Sequence, residues 1–398
     1  MKEDIKKVFQ MVDINKHMRI SIYLLMAFFS ISLTMISPML PVIVKEFELT
    51  TSQGGLIMTY QSIGGALITV LMMFIADKYD KAMLIIIGFF LLIVSLFLIS
   101  FVSAYNIILL LFFLYGVGSK IGDNLNNSFL TERFSENSGV YLNILHGFFG
   151  IGALLGPLIA SGLINQGIYW GDIFKLVGFV SLFVLVYFIV IVIKDNKISL
   201  SISSDKNKIN YAKIFGNYKA RILYLIMLLY IGSQSALSTW LPMYMENYLQ
   251  TTSLIGGLAL SLFWIGNIIS RFMASYFTQE HSNIFLIKWG NFLGFIVLFI
   301  SIILQIYWLT LINVVLIGFF TGATVPLVLD IASGLFPDNN GAVTSVLFVV
   351  INLSVMFFPW FIGLLVDHFD FQIAFIITAI ILLAVPLISL LIKEKNNC

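Results

Sequence analysis

Twelve long apolar stretches, separated by short polar connections, restrict the fold of this chain more than any other feature. A bilayer core offers no water to backbone amides, so each stretch must satisfy its amides within a helix of about 20 residues. Hydrophobic residues make up 60% of the chain and charged residues only 11%, which excludes a water-soluble domain. The sequence therefore predicts an all-α integral membrane protein with twelve transmembrane helices, here called spans 1 to 12. Their predicted bounds are 19–44, 53–76, 82–103, 106–131, 139–163, 172–193, 222–245, 254–277, 284–305, 309–335, 342–365 and 371–392.

The two halves of the chain are diverged copies of each other. The letters TTSQGGL at 50–56 recur, one residue longer, as TTSLIGGL at 251–258. At an offset of 202 positions, three further pairs coincide within apolar stretches: Gly64 with Gly266, Gly116 with Gly318, and Pro157 with Pro359. An even number of spans in each copy keeps both copies in the same orientation. We therefore predict two six-helix bundles related as a parallel 6+6 repeat.

One long polar connection divides the chain and sets the predicted domains. These are an N-terminal bundle at 1–193, a cytoplasmic linker at 194–221 and a C-terminal bundle at 222–398. Most of the 22 Lys and Arg residues lie on one side if the N-terminus is inside, and only Lys45 and Lys175 fall near the other side. The positive-inside rule then predicts that both termini of this multi-pass protein are cytoplasmic, with the chain in the inner or plasma membrane.

Several classes of activity find no support in the sequence. It contains no phosphate-binding GxxxxGK[ST], no HExxH and no nucleophile elbow, and its predicted loops are too short for a nucleotide-binding domain. Its one cysteine, Cys398, excludes an intrachain disulfide and a cysteine-based metal site. We therefore expect no enzyme, no cofactor, no metal and no nucleic-acid partner. The expected partners are a small-molecule substrate, protons and the lipid bilayer.

The connection between spans 2 and 3 carries a family motif. Its letters MFIADKYDK at 73–81 resemble the GxLaDrxGrk signature of the major facilitator superfamily, with the Asp and two basic residues but without the glycines. The resemblance covers the whole chain and implies two bundles that rock about a central cavity. It also implies that Asp77, beside Lys78, caps a helix of the opposite half and acts on gating. The alternative is a solvated turn that carries positive-inside charge.

Motifs in spans 4, 5, 7, 8 and 11 resemble the fucose permease branch of that superfamily. They are Gly116, Gly118, Asp123 and Asn127 in span 4, FGIGALLGP at 149–157, YIGSQ at 230–234, WLPMY at 240–244, FWIG at 263–266 and PWFIG at 359–363. Two positions depart from the branch, because Lys120 replaces a glycine and Gln234 replaces an acidic residue. The resemblance implies proton-linked transport of a neutral sugar.

Asp123 is the first candidate for proton coupling, because a carboxylate within a span is costly and marks an ion or proton pathway. Lys120 precedes it by three positions and can pair with it on one helix face. His146 lies at a similar depth on span 5. We predict that Asp123, Lys120 and His146 couple protons. Two alternatives stay open: a permanent Lys120–Asp123 ion pair, and a packed neutral His146.

The polar groups within the predicted spans are mostly neutral amides, which suit a hydroxyl-rich solute. All four arginines fall near predicted helix ends, which argues against organic anions. The predicted substrate-binding residues are Gln61, Asn124, Asn127, Gln234, Trp240, Trp264 and Asn267, with the tryptophans as stacking faces. Packing between helices is the alternative for each of them.

Arg271 ends span 8, where the resemblance implies a role in the cytoplasmic gate, and Asp330 is its predicted partner. The chain is thus expected to be a secondary active transporter of a small neutral hydrophilic solute, with a sugar and proton coupling favoured. A second interpretation stays open, because Gly152, Gly156 and Pro157 overlap the span 5 motif of drug/proton antiporters. That interpretation is a multidrug/proton antiporter that exports amphipathic compounds.

Overall fold

The structure is a computed structural model that describes residues 2–75, 78–195, 216–336 and 340–392, without the side chains of 2–13, 73–74 and 340–341. Within these ranges every regular element is helical and no strand occurs. Twelve helical segments there are long and apolar enough to cross a membrane. They are Ile14–Glu46, Thr51–Met72, Lys81–Ile99, Tyr105–Arg133, Ser135–Asn165, Trp170–Lys194, Tyr218–Tyr248, Ser253–Phe277, Asn283–Leu304, Tyr307–Leu335, Ala342–His368 and Phe371–Ser389. The predicted all-α fold with twelve spans is confirmed.

Three spans are interrupted where the sequence predicts a continuous helix. Span 1 consists of Lys2–Thr34 and Ile36–Glu46, and span 10 of Tyr307–Thr321 and Thr324–Leu335. In span 7 the α-helix Tyr218–Met243 continues as a π-helical turn, Tyr244–Tyr248, directly after Pro242. Pro242 has no amide hydrogen, so the hydrogen-bond ladder already lacks one bond in the turn before the π-helical segment.

Polar side chains cap the starts of several spans in the described part of the chain. Asp80 accepts from the amide of Met83 at span 3 (2.9 Å), and Asp370 accepts from Ile373 at span 12 (2.8 Å). Asn217 and Ser282 cap spans 7 and 9 in the same way. Such caps satisfy amides that have no partner within the helix, so they determine where the short loops end and the spans begin.

Two glycines at equivalent positions of the repeat make equivalent helix contacts in the structure. A Cβ on Gly64 would overlap the carbonyl oxygen of Phe113 in span 4. A Cβ on Gly266 would overlap the carbonyl oxygen of Val315 in span 10, which stands at the same offset of 202. In each half, therefore, a glycine lets one helix backbone touch another.

Contacts divide the described residues into two compact units. Unit 1 lies within Met1–Ile36, Ile63–Gly156 and Gly167–Ser204. Unit 2 lies within Ser37–Ser62, Pro157–Gln166 and Asp205–Cys398, and so takes segments from both halves of the sequence. The predicted domain division at 194–221 stays a prediction, and residues 196–215 of that segment lie outside the described residues.

A buried ion pair joins two spans within unit 1. Arg133, at the end of span 4, pairs with Asp195, which follows span 6 and has a side chain only 6% exposed. The same guanidinium donates to Asn15 of span 1 (3.2 Å). Nearby, Arg19 of span 1 donates to the hydroxyl of Tyr141 and lies over its ring and that of Phe134. These two arginines therefore connect the ends of spans 1, 4, 5 and 6 within unit 1.

Candidate functional site

The predicted Lys120–Asp123 pair is formed. Lys120 Nζ lies 3.0 Å from Asp123 Oδ2, with side chains 35% and 23% exposed. The stem of Lys120 passes over Gly65 of span 2, where a Cβ would come within 2.8 Å of Lys120 Cγ. Asn127 donates to the backbone carbonyl of Asp123 (2.7 Å), and Asn124 donates to Thr69 of span 2 (3.3 Å). Span 4 thus carries a polar face that contacts span 2.

His146 lies exposed on span 5. Its role as a relay stays a prediction, as does the coupling role of the Lys120–Asp123 pair. The pair itself follows from helix geometry, since side chains three positions apart share a face.

Trp240 and Asn267, like Asn124 and Asn127, have hydrogen-bond partners within the protein. Trp240 is fully buried, and its indole Nε1 donates to the carbonyl oxygen of Pro359 (2.8 Å). Asn267 is 4% exposed and donates to Phe263 one turn earlier (3.0 Å). A covered indole presents no face to a solute, so these contacts correspond to the packing alternative.

Three other predicted substrate-binding residues each have a buried polar atom without a hydrogen-bond partner. These atoms are Oε1 of Gln61 in span 2, Oε1 of Gln234 in span 7 and Nε1 of Trp264 in span 8. Buried polar atoms are normally hydrogen-bonded, so such atoms mark positions where a polar ligand would lower the free energy. All three residues belong to unit 2.

The structure describes three of the four predicted gating residues, whose gating role stays a prediction. Asp77 lies outside the described residues, and Lys78 is exposed. Arg271 Nε faces the carbonyl of Gly322, at the break in span 10, at 3.5 Å. Asp330 instead accepts from the amide of Asn283 (2.6 Å). Arg271 and Asp330 therefore have separate partners, because their helices do not bring the two charges to one point.

Sequence reasoning missed a carboxylate at the end of span 11. Asp367 accepts from the backbone amides of Thr51 (2.6 Å) and Ser52 (2.9 Å), the first two residues of span 2. A carboxylate is favoured at this position because the start of a helix carries partial positive charge. The only signal in the sequence is an acidic residue at the end of an apolar stretch, which does not reveal the partner helix.

Two glycines that follow the repeated TTS letters make reciprocal contacts. A Cβ on Gly55 of span 2 would lie 2.9 Å from the carbonyl oxygen of Pro359 in span 11. A Cβ on Gly257 of span 8 would lie 2.7 Å from the carbonyl oxygen of Pro157 in span 5. Each copy of the motif thus brings its helix into backbone contact with a proline turn of the other copy, and all four residues lie in unit 2.

Comparison with known proteins agrees with this architecture. The profile of the Major Facilitator Superfamily matches residues 22–309 and 223–397. The chain belongs to this superfamily. It is therefore a multi-pass membrane protein of a transporter family, whose members bind small-molecule substrates within the membrane.

Similar proteins extend over most of the chain. Two proteins named TsgA homolog, from Buchnera aphidicola of Schizaphis graminum and of Baizongia pistaciae, are 23% and 22% identical. The first alignment covers 73% of this chain and 74% of the relative, and the second covers 74% and 77%. Each relative is thus matched over about three quarters of its length.

Two solved structures share the fold at low sequence identity. A bacterial homolog of the human lysosomal transporter Spinster, in an inward-facing and unoccupied conformation, has a TM-score of 0.79 at 13% identity. The match covers 95% of this chain and 96% of the homolog. A variant of the nucleoside transporter NupG has a TM-score of 0.81 at 10% identity, over 96% and 100%. At these identities the likeness concerns the fold alone.

Proposed function

We propose that this superfamily member transports a small neutral hydrophilic solute, with a sugar favoured, by proton-coupled alternating access. The supporting observation is the chemistry of the unpaired buried atoms at Gln61, Gln234 and Trp264. Two amide oxygens accept hydrogen bonds and an indole nitrogen donates one, which together suit a solute that carries several hydroxyl groups. The indole ring adds an apolar face for the carbon side of such a solute.

The arginines argue against an anionic substrate. Arg19 lies against Phe134 and Tyr141, Arg133 pairs with Asp195, and Arg271 faces a backbone carbonyl. Binding of a phosphate or carboxylate ordinarily uses a guanidinium that can reach the ligand in a bidentate way. The three guanidiniums have structural partners instead, which supports a neutral solute.

The antiporter interpretation gains no specific support from span 5. A Cβ on Gly152 would come within 2.8 Å of Ser30 Cβ, and one on Gly156 would come within 2.8 Å of the carbonyl of Ile31. Both glycines therefore serve close packing between spans 5 and 1, which any substrate class would allow.

The first test is uptake of a panel of radiolabelled hexoses and deoxyhexoses into proteoliposomes, with and without an inward proton gradient. We expect the gradient to drive accumulation of one of these sugars, because protonation of Asp123 would release its pair with Lys120. Asp123→Asn should abolish that accumulation and retain exchange of the sugar, since the amide cannot carry the charge. Asp172→Asn is the matched control, because Asp172 forms the same three-residue pair with Lys175 (2.9 Å) at a more exposed site.

Uptake of no sugar would contradict the proposed substrate class, and export of amphipathic compounds would then take its place. If uptake is the same with and without the proton gradient, only the proton coupling is contradicted, and the proposed substrate class stands.

A second test concerns Asp367. We expect Asp367→Asn to weaken the contact between spans 2 and 11 by about 1 kcal/mol, because the charged acceptor at the helix start is lost. The measurement is the rate of maleimide labelling of Thr59→Cys in a Cys398→Ser background. Thr59 donates to the carbonyl of Met356 in span 11 (2.6 Å), so a cysteine there reports separation of the two spans. Labelling should become about fivefold faster.

Asp370→Asn provides the control for this test. Asp370 follows Asp367 closely but caps span 12 through Ile373. Faster labelling in both variants would show a general loosening of the loop rather than a specific contact of Asp367.

A further inference from the structure

A second carboxylate, absent from the sequence-based predictions, lies in the π-helical turn of span 7. Glu246 Oε2 accepts from the hydroxyl of Ser253 (3.0 Å), while Oε1 is buried and has no hydrogen-bond partner. None of the ion pairs among the described residues includes Glu246. π-helical turns occur frequently at functional sites, and this one places an incompletely satisfied carboxylate against the start of span 8.

The surroundings of Glu246 are tightly packed. A Cβ on Gly256 of span 8 would lie 3.2 Å from Glu246 Oε1 and 3.0 Å from the carbonyl oxygen of Pro242. Both the amide and the hydroxyl of Thr251 donate to the carbonyl of Met245, which closes the loop between spans 7 and 8. The two oxygens thus both lie close to the face of span 8 at Gly256, where an added side chain would be tightly packed.

No cation from the neighbouring helices compensates the carboxylate. Span 8 has no charged residue before Arg271, which is about 27 Å along the helix from Ser253. Span 12 has Asp370 at its start and no charge within Phe371–Ser389. On span 7 itself, Tyr248 hydrogen-bonds Gln305 and Gln372, and Tyr244 stacks on Phe375. At the ends of spans 1 and 11, unit 2 also has Lys45, Glu46 and Glu48, then His368, whose Nδ1 contacts the carbonyl of Leu364, and Asp367, which binds the start of span 2.

The repeat supplies an internal comparison. Gly54 is the repeat equivalent of Gly256, and the side chain that covers Gly54 is Val44, whose Cγ2 would lie 2.7 Å from a Cβ there. Counted from the Leu-Pro and Thr-Thr-Ser letters that both halves share before the one-residue insertion, Glu246 aligns with Lys45, so the two halves cover this glycine from different positions of the repeat. An apolar side chain therefore fulfils the packing role in the first half. The carboxylate in the second half needs a reason other than packing.

An ionised carboxylate with a buried, unpaired oxygen is costly, and the start of span 8 offsets only part of that cost. A proton on Oε1 would remove the charge and supply a donor facing the same region as the carbonyl of Pro242. We propose that Glu246 is a proton-binding group and that release of its proton is coupled to transport. The proton comes from water and returns to it, so no other reactant is consumed. The transport part of this inference rests on the proposed function.

The test combines a spectroscopic titration with transport. Purified protein in liposomes is titrated from about pH 5 to about pH 9, and the infrared band of the protonated carboxyl group is followed. We expect a reversible band that is absent from Glu246→Gln, which keeps the shape of the side chain without the acid. Glu246→Val, which gives Gly256 the kind of apolar cover that Val44 gives Gly54, should also lack the band and remain folded. If Glu246→Gln fails to fold, the Glu246→Val variant assigns the band to Glu246 instead. Asp123→Asn should retain the band.

The outcomes separate this inference from the proposed function. An unchanged infrared titration in both Glu246 variants would overturn proton binding at Glu246, whatever the substrate. If the wild type accumulates a sugar with the proton gradient, Glu246→Gln should lose that accumulation and retain exchange. Undiminished accumulation would overturn the coupling role and leave the proposed function intact. A Glu246 band in a protein that shows no proton-driven uptake would uphold the site and contradict the proposed function.

Discussion

Asp195→Asn is expected to lower the free energy of unfolding by about 3 kcal/mol. The substitution leaves the guanidinium of Arg133 in a largely buried site without its counter-charge, and only the hydrogen bond to Asn15 remains. The free energy of leaving one buried charge unpaired is larger than the net free energy that the ion pair contributes to folding. Thermal unfolding of the purified protein in detergent is the measurement, with tryptophan fluorescence as the signal.

A double variant distinguishes this cause from a loss of packing. Arg133→Met with Asp195→Leu removes both charges, so most of the stability should return. Glu132→Gln is the control, because Glu132 pairs with Lys81 next to Arg133 but is 48% exposed. Its effect should stay below about 1 kcal/mol. Equal losses for Glu132→Gln and Asp195→Asn would show that burial is not the cause.

Gly64→Ala and Gly266→Ala should each destabilise the protein by about 2 to 3 kcal/mol. In both positions the added methyl group would overlap a backbone carbonyl oxygen, of Phe113 or of Val315. A backbone atom cannot rotate away as a side chain can, so the two helices must separate. Because the two glycines are repeat equivalents, the losses should be similar in size when unfolding is measured under the same conditions.

Gly162→Ala is the matched control for these two variants. Gly162 also lies within a span, and a Cβ there would meet nothing within 4 Å. Alanine favours helix over glycine, so stability should be unchanged or rise by up to about 1 kcal/mol. Loss of stability in Gly162→Ala would mean that the span tolerates no added methyl group, and the packing explanation for Gly64 and Gly266 would be wrong.

The candidate site was only partly accessible to sequence reasoning. Lys120 and Asp123 share one helix, so their spacing alone predicted the contact that the structure has. Trp240 and Asn267 have the residue types expected of a sugar site, yet their polar atoms bind Pro359 and Phe263. Which face of a helix meets a neighbour depends on rotation about the helix axis, and a single sequence of nearly uniform hydrophobicity contains little information about that rotation.

The sequence by itself determined the all-α membrane fold, the number and approximate bounds of the spans, and the repeat. It could do so because a bilayer leaves a long apolar stretch no alternative to a helix. Only the tertiary structure decided that Asp367 binds the start of span 2, that Arg271 and Asp330 have separate partners, and that Glu246 accepts from Ser253 while its other oxygen is buried. These contacts join residues from different helices, and the neighbours of each helix are selected by close packing of glycines and prolines on both chain halves. The neighbours of a helix therefore depend on how all the helices pack together and cannot be read from the sequence of one span.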